Sequence, residues 1–61
     1  MVEYHVSPAD GDWMLRNTNG SIISKHRKKR PAVQNGISEA SEGDTLVIHG
    51  TDGKIQEQRN Y

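Results

Sequence analysis

Val2, Tyr4 and Val6 alternate with Glu3, His5 and Ser7, the period-2 pattern of a strand that buries one face. Pro8-Ala9-Asp10-Gly11-Asp12 follows. It gathers a residue that cannot donate to a ladder and residues that accept positive φ, so a reversal is predicted there. Trp13 and Leu15 then alternate with Met14 and Arg16, and Asn19-Gly20 separates this run from Ile22-Ile23. Asn-Gly between apolar runs is a strong hairpin signal, because both residues tolerate the type I′ turn. The second and third strands are therefore predicted to form a hairpin closed at Asn19-Gly20.

The apolar pattern lapses from Lys25 until Pro31. Proline suits a first helical turn, where its missing N–H would have no intrahelical partner, so a helix is predicted to start near it. Ala32, Val33, Gly36, Ile37 and Ala40 fall on one narrow stripe of that helix. Gly36 on the stripe costs about 1 kcal/mol relative to alanine, which points to a close approach of helix and sheet. Glu42-Gly43 is the expected exit, with Gly43 as a left-handed terminator.

Thr45-Leu46-Val47-Ile48-His49 is a short apolar, β-branched run of the kind buried on both faces, and it is expected in an inner position. Gly50-Thr51-Asp52-Gly53 makes another reversal. Lys54 to Arg59 carries one apolar side chain, Ile55, among polar ones, as suits an exposed edge. The order β-β-β-α-β-β predicts an α+β fold in which one helix covers one face of a small antiparallel sheet. No repeat or linker interrupts residues 1–61, which are read as a single domain.

Length limits what such a fold can do. A domain of 61 residues removes only about 60% of its unfolded surface from water. Chains this short usually gain a disulfide, a metal or a partner. With no cysteine, disulfides, thiol nucleophiles and Cys-based zinc frameworks are excluded, and the expectation shifts to a homodimer formed through edge strands. The amino terminus lacks a basic start followed by an apolar run, and no window reaches the ~20 apolar residues of a membrane span. A cytoplasmic protein without membrane contact is expected.

Two groups of residues carry family resemblances. Trp13-Met14-Leu15-Arg16, Asn19-Gly20-Ser21-Ile22-Ile23-Ser24 and Asn35-Gly36-Ile37 resemble the pattern of the YegP-like family of small uncharacterised bacterial and archaeal domains. Tyr4-His5-Val6-Ser7-Pro8 and the stretch from Gly43 to Ile55 resemble a second short family of unknown function with a C-terminal Val-Ile-His-Gly-x-Asp-Gly-x-Ile hairpin. The YegP-like resemblance implies a β3-α-β unit, and a dimer or tandem pair with exchanged C-terminal strands. Neither resemblance implies an activity.

Formal charge is zero, yet five of the eight Lys and Arg residues lie in Lys25-His26-Arg27-Lys28-Lys29-Arg30. Lys25, Arg27, Lys28, Lys29 and Arg30 lead into a helix start and are candidates for binding phosphates or nucleic acid, against the simpler reading of a solvated basic loop. His5, His26 and His49 are far apart in sequence and form no metal-binding pattern, so they read as side chains on a sheet face. The serines occupy no nucleophile elbow, and Asp10, Asp12, Asp44 and Asp52 sit in turns, where aspartate serves conformation. No catalytic residue, cofactor or small-molecule substrate is indicated. Trp13, in period with Leu15, reads as core. The functional expectation is a structural or interaction module acting as a homodimer, with nucleic-acid or anion binding through residues 25–30 as the alternative.

Overall fold

Asp10 and Gly11 both take positive φ, 51° and 83°, the conformation of a two-residue type I′ turn. In the computed structural model, which describes residues 1–61, this turn joins β1 (Glu3–Ala9) to β2 (Asp12–Arg16). Ala9 faces Asp12 and Pro8 faces Trp13. The first strand thus runs through Pro8 rather than ending before it. Antiparallel positions alternate between bonded and non-bonded pairs, and with Ala9 and Asp12 closing the turn, Pro8 falls at a non-bonded position.

β2 pairs antiparallel with β3 (Ile22–His26), so the expected hairpin is present, but Asn19-Gly20 does not form a type I′ turn. Only Gly20 has positive φ. The loop is wider, closed by Asn17 N–H to the Ser21 carbonyl at 3.1 Å. The Asn17 side-chain oxygen accepts from the N–H groups of Asn19 and Ser21, an Asx-type closure that replaces the tight turn.

The helix α1 spans Lys29–Glu39. It begins two residues before Pro31, so Lys29 and Arg30 belong to its first turn, and it ends before Glu42-Gly43 because Ala40 is already extended (ψ 133°). Gly43, at φ 89°, serves the following turn instead. After three strands joined by hairpins the chain heads in the direction of β1, and the helix carries it back. β4 (Thr45–His49) therefore runs parallel to β1, with Val6 beside Ile48. The sheet is mixed, in the order β3-β2-β1-β4-β5, with β5 (Ile55–Asn60) antiparallel to β4 at the edge. The all-antiparallel expectation fails at this one pair.

Val6, Leu15, Ala32, Leu46 and Ile48 form the core between helix and sheet, with Tyr4, Trp13, Val33 and Ile37 packed around them. A Cβ added to Gly36 would lie 2.8 Å from Leu46 Cδ1 and 3.3 Å from Leu15 Cδ1, so the glycine is what lets the helix approach. The accessible surface, 4082 Å², is close to the roughly 4,000 Å² of a folded monomer this size. The five residues of the core cluster all come from this one chain.

Asp44 ties the return of the helix to the start of β1. Its carboxylate accepts from the Ser41 and Val2 N–H groups, each at 2.8 Å. These two bonds, Ser41's first, hold its pKa below the ordinary aspartate value against the opposing effect of burial. A depressed carboxylate pKa contributes stability above the unfolded value and loses it as pH falls toward the folded one. Urea midpoints are expected to drop as pH falls below about 4, and Asp44→Asn should lower the midpoint at neutral pH while flattening that acid dependence. An unchanged pH profile in Asp44→Asn would remove Asp44 from this role.

Candidate functional site

The five cations of the basic segment do not share one surface. Lys25, next to last in β3, reaches Asp12, with its Nζ 3.7 Å from the carboxylate. Lys29 lies over the Trp13 ring at 5.2 Å and donates to the Gln56 side chain. Both are therefore engaged within the chain. Arg27, Lys28 and Arg30 are exposed. They surround a helix start with no side-chain cap and no acidic residue in its first turn.

A second grouping, unmarked in the sequence, lies on the sheet face away from the helix. Alternation along the strands places His5 and Ser7 of β1, Arg16 of β2 and His49 of β4 on that face, and His5 pairs directly with Arg16 across β1 and β2. His5 Nδ1 and His49 Nε2 are 3.0 Å apart. Their ring planes differ by 27° with centroids 5.2 Å apart, the arrangement of a near-coplanar ring-to-ring hydrogen bond. His5 Nε2 lies 2.6 Å from Glu3 Oε1, and His49 Nδ1 lies 3.0 Å from the Gly53 carbonyl.

A carbonyl and a carboxylate only accept, so His49 Nδ1 and His5 Nε2 are the donors in these two contacts, and His5 Nδ1 and His49 Nε2 are the nitrogens that face each other between the rings. Beside the pair, Arg16 has a buried Nε without a hydrogen-bond partner. Its Nη2 finds only the Met14 sulfur at 3.9 Å, and none of the three ion pairs in the chain includes it. The side chains border an open depression of about 350 Å³ with no hydrophobic lining residue.

Sequence spacing could not reveal this group, because His5 and His49 are 44 residues apart and meet only through the parallel β1/β4 pair. The signal present was the same-face placement of two histidines and one arginine on inner strands. No three His, Asp or Glu side chains converge as a metal-binding group, and no helix is long and apolar enough to cross a membrane.

Fold and site together define a small α+β domain with one sheet face roofed by a helix and the other presenting a polar centre of Arg16, His5 and His49. The chain belongs to the family described as "Uncharacterized protein conserved in bacteria (DUF2188)", whose pattern it matches over residues 4–61. Comparison with curated proteins and with solved structures gave no match.

Proposed function

We propose that this domain is a non-catalytic interaction module that pairs with a second copy of itself through β5. The supporting observation is the self-complementarity of that edge. Antiparallel pairing of two β5 strands about Gln58 sets Glu57 opposite the partner's Arg59, Gln56 opposite the partner's Asn60 and Ile55 opposite the partner's Tyr61. Ile55 and Tyr61 are 63% and 43% exposed in the single chain, a surface that such pairing would cover. Opposite charges and apolar pairs directly across strands stabilise a sheet, and like charges oppose it.

Within one chain, Glu57 already bonds Arg59 at 2.6 Å, which lowers the glutamate pKa and raises that of the arginine. Exchange of this contact across a two-fold axis would keep both charges satisfied. The other edge, β3, is less suited. A bulge interrupts its register with β2 at Leu15/Arg16, and bulges disfavour edge pairing. β5 has its own irregularity at Ile48/His49, but residues 57–60 beyond it keep regular register. The YegP-like resemblance also implies a dimer, though one with exchanged C-terminal strands, whereas here β5 pairs with β4 of its own chain.

Because the core cluster lies within one chain, the association is expected to be reversible and its variants folded. Sedimentation velocity from about 10 μM to 1 mM should show a monomer–dimer equilibrium. Glu57→Arg, which sets arginine against arginine, should weaken it by roughly tenfold, and the charge swap Glu57→Arg with Arg59→Glu should restore it. A monomer throughout, or a swap that fails to rescue, would refute the pairing.

A second reading, binding of a nucleic-acid backbone, draws on the exposure of Arg27, Lys28 and Arg30 at the uncapped helix start. Three phosphate contacts would give weak, steeply salt-dependent binding. A labelled oligonucleotide at about 50 mM salt should lose binding when all three become alanine; unchanged binding in that variant would end this reading.

A further inference from the structure

We propose that the depression on the open sheet face is a binding site for a small oxyanion, held by the Arg16 guanidinium and the adjoining His5–His49 pair. Two features of the site call for such a ligand. The buried Arg16 Nε lacks any acceptor, and a buried polar group left unpaired is costly enough to be rare in folded proteins. No acidic residue lines the depression, and the Glu3 carboxylate is occupied by His5 at 2.6 Å. The Arg16 guanidinium therefore has no carboxylate of its own.

The chemistry of the lining narrows the class. Guanidinium matches phosphate and carboxylate through paired N–H donors. A depression of about 350 Å³ with no hydrophobic lining residue suits a small charged group rather than an apolar ligand, which would need an apolar wall. Asn17 and Ser7, which also border it, add neutral polar groups at the rim. The guanidinium and imidazoles come from three adjacent strands, so the arrangement is held by the sheet itself rather than by a loop. This site is separate from residues 25–30, and its contents do not depend on whether β5 pairs with another chain.

The test uses the full chain labelled with nitrogen-15 and titrated with sodium phosphate, and in a parallel arm with sodium acetate, at ionic strength held constant with chloride. The expected result is a saturable shift of the Arg16 Nε–H signal and of the His5 and His49 ring nitrogens in at least one arm, which also tells a tetrahedral from a planar anion. Arg16→Gln should weaken that binding by roughly tenfold or more, as the loss of a charge-assisted bond requires. Arg16→Lys, which keeps the charge but removes the Nε donor, should also weaken it. Replacing Arg27, Lys28 and Arg30 together by glutamine should leave it unchanged. The Arg16 Nε–H signal of the unsubstituted chain decides the matter even if a variant fails to fold. No saturable shift there by about 50 mM of either anion, well above a millimolar constant, would overturn the proposal. So would shifts confined to residues 27–30, or binding unaffected in a folded Arg16→Gln variant.

Discussion

Leu46→Ala should leave the domain largely unfolded at 25 °C. Leu46 is fully buried at the centre of a core cluster of only five residues, wedged between β1 and the helix. Truncating a buried leucine costs about 2–5 kcal/mol, the transfer of the lost carbons plus the cavity they leave. A domain of this size holds only about 3–5 kcal/mol in its core, so the loss is comparable with the whole. Circular dichroism during urea denaturation is the measurement, and the expected result is a midpoint near zero denaturant. Leu46→Met, which conserves volume, should cost less than about 1.5 kcal/mol. A variant Leu46→Ala with a wild-type midpoint would mean that helix and sheet are not packed through this side chain.

The second large effect is expected at Gly36, where local and tertiary preferences disagree. In an exposed helix, glycine to alanine gains about 1 kcal/mol. Here the added methyl would meet Leu46 Cδ1 at 2.8 Å and Leu15 Cδ1 at 3.3 Å, and both leucines are fully buried and cannot swing into water. Overpacking of this kind costs about 1–3 kcal/mol. Gly36→Ala should therefore come out destabilised, by about 1 kcal/mol, and Gly36→Val, with two further carbons and β-branching, by roughly 2–4 kcal/mol. Combining Gly36→Ala with Leu46→Val should cost less than the sum of the two, because the methyl enters space the leucine vacates. An additive pair, or a stabilised Gly36→Ala, would show that the helix rides higher above the sheet than described.

Most of the fold was legible because its signals are local. Alternation marked β1 and β2, the β-branched run marked β4, the polar run marked the β5 edge, and the Ala32–Gly36 stripe marked the buried side of the helix. The errors arose where two local signals carried the same composition. Asp10-Gly11 and Asn19-Gly20 both suit a type I′ turn, and only the first forms one, because the Asn17 side chain captures the backbone of the second loop. The helix start near Pro31 is present, two residues earlier at Lys29, because Pro31 is acceptable in a first turn without having to open it and Lys29 gains from the Trp13 ring.

The polar centre of the open face was illegible for a different reason. His5, Arg16 and His49 lie on three strands, and their meeting depends on the parallel β1/β4 pair, which follows from the helix turning the chain back and not from any stretch of residues. The basic segment drew attention by composition, yet Lys25 and Lys29 are engaged within the chain. Charge density along a sequence does not say which cations remain free once strand and helix diverge.

An isotope-filtered NOE experiment on a mixture of labelled and unlabelled chains at about 1 mM tests self-pairing most directly. Contacts between chains are expected from Glu57, Gln58 and Arg59, with Glu57 near the partner's Arg59. Contacts arising instead from β3, or none at all between chains at that concentration, would contradict it.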